Sequence, residues 1–351
     1  MAKDWNTLHT LPQSEALINE VKGNLFEYLV AFELSRLLGL SSSFIRTFSK
    51  IGGGRAQEDL RHYQEWLREN DVDLFNQLPS LARTTSEQLF AKLPALREGK
   101  FHNLMVTGKS GAVSGQNSLK ECDILIEGEE ETIPLSIKFS KRGAYVNTKS
   151  GGIRSFLEKY FASFYEATQY QEELNAFLEQ SFIQMAQELY AWADIDPNHL
   201  MGHSGHFSPQ WSEANLPELP GLLEEKPRKS LFEHYYRVID KLHFFICEFE
   251  KTDRERFLSA LAPLMGLSDE RLIQVTLYHK NRHYFDSLEI ERGEDLLKTR
   301  EDLFFHPLKK EVSSFSLGLK DKTLQIRVKP MNKFTVSALK VNCSVKTERS
   351  I

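Results

Sequence analysis

Apolar residues along this chain recur every three or four positions over long stretches and every second position over a few short ones. Between Ser14 and Leu38, the residues Leu17, Ile18, Val21, Leu25, Leu29, Phe32 and Leu37 keep helical spacing, with an interruption at Gly23 and a stop at Gly39. Residues 41–55 read as a loop ending in Ile51-Gly-Gly-Gly-Arg55. Without a preceding strand or a GK[ST] ending, those glycines suit a flexible connection better than a phosphate loop. Helical spacing returns over most of 56–99, with Tyr63, Trp66 and Leu67 on one face and Leu89, Phe90, Leu93 and Leu96 on another. Phe101 to Val106 reads as a strand, and Thr107 to Ser118, rich in Gly and Ser with Lys109 among them, as a loop.

Two neighbouring strands follow. Ile124, Leu125 and Ile126 form one apolar run and Ile133, Leu135 and Ile137 alternate in the next, with Gly128 and glutamates marking the turn between them. From Gly152 the pattern is helical to about Trp192, and its aromatics are read as packing. Asp196 to Pro227 has weak periodicity and reads as irregular, with His203 and His206 as surface histidines rather than metal ligands. Helical spacing resumes from Ser230 to about Leu267, and Arg271 to Lys280 reads as a late strand of the same sheet. Three further strands are expected at Ser313 to Leu319, Thr323 to Lys329 and Ser337 to Lys346. These patterns divide the chain into a core over 1–194, an irregular insertion or linker over 195–229, and a segment over 230–351 that returns to the sheet and ends in basic strands.

Composition narrows the class. The chain has 351 residues, 41% hydrophobic and 26% charged, which is the make-up of a globular protein large enough for more than one domain. Its formal net charge is −5, so any surface for a polyanion must be local. One concentration of that kind exists: Lys320, Lys322, Arg327, Lys329, Lys333, Lys340 and Lys346 against the acid Asp321, interleaved with Phe334 and Asn342. Lysines there also suit a solvated sheet face that guards an edge against pairing. Cys122, Cys247 and Cys343 are far apart and give neither a disulfide framework nor a zinc cluster. No apolar run approaches a membrane span of about 18 residues, and the N-terminal residues lack an apolar signal core, so a cytoplasmic protein with no membrane partner is expected.

The chemistry is concentrated in the strand pair. Asp123 enters the first strand, and Ser136 and Lys138 share one face of the second, because side chains repeat every two positions. An anion, a hydroxyl and a cation at the edge of an apolar sheet are costly unless paired or bound to a metal. An ordinary hairpin with a solvated end is the bland alternative. The pattern resembles the PD-(D/E)xK nuclease superfamily, with Asp123 as the acid and Ser136-Ile137-Lys138 as the second element. It departs from the commonest members in carrying Ser136 where they carry glutamate. The segment from Gly143 to Leu157 resembles the loop and helix that approach DNA in several restriction endonucleases of that superfamily. Lys22 to Leu34 resembles its first helix, whose glutamate, here Glu27, points at the metal. Asn24 followed by Glu27 also fits a capping box, if the helix restarts after Gly23.

The resemblance implies an α/β fold: a restriction-endonuclease-like mixed sheet flanked by helices, here with large helical insertions and a C-terminal β-rich segment. It implies a Mg²⁺-dependent endonuclease acting on double-stranded DNA, of Type II and site-specific, working as a homodimer with a cognate DNA methyltransferase in the same system. Asp123, Glu27 and the carbonyl of Ile137 would hold the ion, Lys138 would orient the attacking water, and Ser136 would assist, with Glu121 as a reserve carboxylate. Lys141, Asn147, Lys149, Ser150 and Arg154 become candidates for DNA contact, and Arg327, Lys329, Lys333 and Lys340 join them from the basic strands. The alternatives are a repair or defence nuclease directed by structure or modification, and a nuclease-fold protein that binds DNA without cutting it.

Overall fold

The computed structural model describes residues 11–51, 53–107, 121–196, 206–267, 269, 271–293, 295, 302–310 and 312–348, with the backbone alone for 11–16, 51 and 53–56. The helices are α1 (Leu11–Leu37), α2 (Ser41–Ile51), α3 (Gly53–Asn70), α4 (Val72–Lys92), α5 (Pro94–Glu98), α6 (Phe156–Tyr160), α7 (Ala167–Trp192), α8 (Pro209–Glu213), α9 (Glu225–Thr252) and α10 (Arg254–Leu261). The strands are β1 (Phe101–Val106), β2 (Ile124–Gly128), β3 (Thr132–Lys141), β4 (Val146–Gly152), β5 (Ile273–His279), β6 (Phe285–Arg292), β7 (Leu303–Phe305), β8 (Ser314–Leu319), β9 (Lys322–Pro330) and β10 (Leu339–Thr347). The architecture is α/β, with one mixed and one antiparallel sheet.

The chain folds as two compact units, Met1–Ala144 with Leu267–Gly293 and Tyr145–Gly266 with Glu294–Ile351. The sequence-based divisions at 194 and 229 therefore do not coincide with the units. The reason lies in one pairing. β3 and β5 run parallel, and a parallel pair needs a crossover. Here the crossover departs at Ala144 and returns at Leu267, and the chain between them builds most of the other unit.

In the first unit the sheet order is β1-β2-β3-β5-β6, antiparallel except for the β3–β5 pair. Ile124, Ile126, Leu135, Ile137, Val275 and Leu277 face one way and join Val21, Phe26, Leu34 and residues of α2, α3 and α4 in one buried core. Burying each such side chain is worth about 1.5–3 kcal/mol. Gly39 ends the first helix at φ +72°, a conformation that glycine adopts without strain. Two expectations fail here. Residues 41–51 are helical, not loop: Phe44 and Phe48 lie one turn apart, both buried, with ring centroids 6.1 Å apart. The glycines at 53 and 54 open α3. Gly23 does not interrupt α1.

In the second unit the order is β4-β10-β9-β8-β7, all antiparallel. Leu324, Ile326 and Val328 on β9 and Val341, Cys343 and Val345 on β10 join the buried faces of α7 and α9, giving a two-layer core. Residues 146–152, expected as a loop, form the edge strand β4. The expected continuous helix to Trp192 breaks after α6, where Tyr165 is 96% exposed. Phe334 is buried at 1% exposure, which removes it from any role in meeting bases. Lys109 and His203 lie outside the described residues, and His206 is exposed. All three cysteines are free, and no helix among the described residues is long and apolar enough to cross a membrane.

Candidate active site

The site grows out of the place where the β2–β3 ladder opens. Asp123 stands one residue before β2, donating its N–H to the Leu135 carbonyl at 2.8 Å while its own carbonyl accepts from Thr107 N at 2.9 Å. Its carboxylate then takes the place of a ladder acceptor. Oδ2 receives the Ile137 N–H at 2.7 Å, the Ser136 hydroxyl at 3.2 Å and the Lys138 ammonium at 3.4 Å. The three residues singled out in the sequence thus meet on one oxygen. The Lys138 and Asp123 side chains are 25% and 14% exposed, so the pair is poorly hydrated but reachable. Charge-assisted hydrogen bonds of this kind are about twice as strong as neutral ones. Asp123 also has a structural duty, since it satisfies a strand amide that the opened ladder leaves over.

Ser136 and Lys138 lie on the sheet face opposite the helical core, and the register extends that face across two more strands. Ser136 is level with Gln274 and Gln274 with Glu291; Lys138 is level with Thr276 and Thr276 with Glu289. Gln274 Nε2 donates to Glu291 at 3.4 Å and Tyr278 OH to Glu289 at 3.1 Å. These acids escaped the sequence reading because 285–292 was not recognised as a strand, although Leu288 and Ile290 alternate there with Ser287, Glu289 and Glu291. With strands about 4.8 Å apart, β6 lies roughly 14 Å from the line of β2. That is too far for Glu289 or Glu291 to share an ion with Asp123.

Glu27 is half-buried on α1, next to Phe26, whose ring meets Phe139 of β3 at 4.8 Å. Because α1 covers the Ile137 and Phe139 face, Glu27 belongs to the layer opposite Ser136 and Lys138. The capping-box alternative falls, since α1 is continuous and Asn24 instead donates Nδ2 to Tyr63 OH at 3.2 Å within the core. Beyond Lys138, the Phe139 ring stacks on His279 at 4.7 Å, and the Lys22 ammonium lies over the same ring, 5.6 Å from its centroid. Burial holds His279 below the usual imidazole range, with His283, Lys22 and Lys141 adding to the effect.

Glu121 is half-buried two residues before Asp123. No three His, Cys, Asp or Glu side chains converge as a metal cage among the described residues. Magnesium commonly takes only one or two carboxylates and keeps its waters. The Asp123 carboxylate, next to the Ile137 backbone whose N–H it accepts, offers hard oxygen donors of that type, which fit an ion that draws its other ligands from water and substrate.

The candidates for DNA contact separate. Lys141 is exposed at the end of β3 in the first unit, while Asn147, Lys149, Ser150 and Arg154 belong to the second. The segment after Lys138 is therefore not a loop leading from the site. Arg154 pairs with Glu179 at 3.1 Å, Lys149 lies over the Tyr160 ring at 5.9 Å, and Lys333 pairs with Glu218. Arg327, Lys329 and Lys340 share one face of the second sheet. No protein-family model, curated protein or solved structure matches the chain.

Proposed function

We propose that the chain is a Mg²⁺-dependent endonuclease that hydrolyses phosphodiester bonds of double-stranded DNA, with its chemistry at Asp123, Ser136 and Lys138. The observation that carries this reading is the convergence of a lysine ammonium and a serine hydroxyl on one carboxylate at an opened ladder. The mixed sheet with helices packed on it is compatible with the restriction-endonuclease-like fold that the motif implies. Asp123 would hold the ion with the Ile137 carbonyl, and Glu27, in the layer on the opposite face, would support it from across the sheet. A bound divalent ion lowers the pKa of a coordinated water and neutralises charge on non-bridging phosphate oxygens. Lys138 orients the attacking water and adds positive charge beside the phosphate. Ser136 donates to the carboxylate and fixes its rotamer. Water attacks phosphorus in line, and the 3′ oxygen leaves.

Site specificity of the Type II kind, with a dimer matching a palindromic sequence, is the favoured form of this activity. A second reading, DNA binding without cleavage, draws on the three donors already occupying Asp123 Oδ2 and on Ser136 standing in place of a carboxylate.

The test is incubation of the purified chain with mixed-sequence plasmid and phage DNA, with Mg²⁺ and with EDTA, beside Asp123→Asn. The amide oxygen of that variant can still accept from Ile137 N–H, so the fold is kept while the charge is lost. Discrete fragments that need Mg²⁺ and vanish in Asp123→Asn are expected, and their mapped ends give the recognition site. Cleavage undiminished in the variant would falsify the site.

A further inference from the structure

The outer face of the second sheet carries a charge arrangement that sheet stability does not explain. Lys340 of β10 stands directly opposite Lys329 of β9, and Asn342 directly opposite Arg327 two residues along. Like charges directly opposite each other across two strands are destabilising. Lysine on a sheet commonly guards an edge, but β9 and β10 are interior strands, and the edges here are β4 and β7. Elsewhere in this unit Arg154, Lys333 and Lys346 find Glu179, Glu218 and Glu348. Among the described residues no ion pair engages Arg327, Lys329 or Lys340. Burial, and then Lys340 and Arg327, hold the Lys329 amine below its usual range, which reflects the same crowding of positive charge.

Among the described residues, the other strand neighbours of these cations are uncharged and mostly polar. Gln325 of β9 lies opposite Ser344, and Ser314 and Ser316 of β8 lie opposite Arg327 and Gln325. Ser150 of β4 donates to Asn342 Oδ1 at 2.9 Å, which leaves the Asn342 amide nitrogen as a donor beside the cations. Cations, hydroxyls and amides, with no carboxylate at these register positions among the described residues, make a surface that accepts anionic oxygens. The cations lie on adjacent strands, so they form a patch rather than a single-ion pocket. An extended polyanion fits such a patch, and a single phosphate does not.

We propose that Arg327, Lys329 and Lys340 form a binding surface for the phosphate backbone of duplex DNA, in a unit other than the one that carries Asp123. Duplex DNA, among polyanions, is taken from the nuclease reading, on which this choice rests. The surface itself reads no sequence: contacts to phosphate position a protein on the duplex without distinguishing bases.

The test is fluorescence anisotropy of the full chain with a labelled random-sequence duplex in EDTA, so that no cleavage occurs, over 50–200 mM salt. Wild type is compared with R327A/K329A/K340A and with the charge-keeping R327K/K329R/K340R. Circular dichroism and melting of each variant confirm folding. Three phosphate contacts contribute roughly 2.7 to the slope of log affinity against log salt, equivalent to about 40-fold over this range. The alanine variant is expected to bind more weakly and to lose up to that much salt dependence, while the charge-keeping variant retains both. An unchanged slope in the alanine variant, no duplex binding by wild type at 50 mM salt, or preference for single-stranded RNA over duplex overturns the surface. Failure of the nuclease reading looks different: duplex binding with the expected slope, but no Mg²⁺-dependent fragments from plasmid.

Discussion

The two sheets treat charge in opposite ways. In the mixed sheet, charged side chains are matched: Asp123 meets Lys138, and Asp286 meets both Arg142 at 2.6 Å and Lys280 at 3.3 Å. In the antiparallel sheet, Lys329 faces Lys340 across interior strands with Arg327 beside them. Matched charge in a half-buried place is a way of holding a reactive constellation before substrate arrives. Unmatched charge on an open face is a standing demand for an anion. On the proposed reading, this difference separates chemistry from capture.

The largest effect is expected at Lys138. Lys138→Ala removes the ammonium that would stabilise charge at the phosphate, and cleavage should fall by about 10²–10³-fold, or roughly 3–4 kcal/mol of barrier. Duplex affinity in EDTA should change little, because the proposed capture surface lies on other strands. Single-turnover cleavage and anisotropy on one preparation check both halves. A parallel loss of binding and cleavage would erase the division of labour between the sheets.

The interior beneath the second sheet gives the next effect. His234 of α9 is 1% exposed and lies 2.8 Å from the Ser181 hydroxyl through Nδ1. Burial, helped by the Arg237 guanidinium, pushes its pKa down to about 4. An unfolded histidine takes its proton near pH 6.5 and the folded one resists it. The stability it contributes is therefore complete above pH 6.5 and is lost as pH falls from 6.5 toward 4, by on the order of 3 kcal/mol. Denaturant unfolding at pH 7 and pH 5 should show about 2 kcal/mol of that drop, and His234→Phe should flatten it. An equal slope in the variant would move the acid sensitivity to other groups.

What the sequence made legible was whatever its side-chain period encoded. The strand that carries Lys138, the parallel partner at 273–279 and the three C-terminal strands carry two-residue alternation, the strand after Asp123 is a short apolar run bounded by turn residues, and all lie in sheets. β4 was missed because its inward position Thr148 is polar and serves through its hydroxyl, which donates to the Leu264 carbonyl at 2.6 Å. α2 was missed although Phe44, Phe48 and Ile51 keep helical spacing, because the serines at its start and the glycines after it read as loop. The division into units could not be read at all. It depends on which strand lies beside β3, and that partner stands more than a hundred residues downstream. Lys333 shows the same limit, since its removal from the basic face by Glu218 is a tertiary event.

If Glu27 supports a divalent ion from across the sheet, Glu27→Gln should lower cleavage by about 10–100-fold, the range typical of groups that tune a metal site. It should also raise the Mg²⁺ concentration needed for half-maximal rate. A merely structural glutamate would shift the melting temperature and leave the Mg²⁺ requirement where it was.

The smallest effect has an unusual sign. Lys329→Gln keeps a polar side chain on β9 while ending the confrontation with Lys340, and relief of one directly opposed like-charge pair is worth about 0.2–1 kcal/mol. Folding stability should therefore rise, while duplex affinity falls and its salt slope drops by about 0.9. Because part of the repulsion is screened, the stability gain should shrink as salt is raised. Urea unfolding at low and high salt measures the gain, and the anisotropy series measures the loss. A variant that is both less stable and unaltered in binding would mean that the Lys329 methylene stem, covering apolar surface, matters more than its charge, and the unmatched cations would lose their standing as a surface kept for an anion.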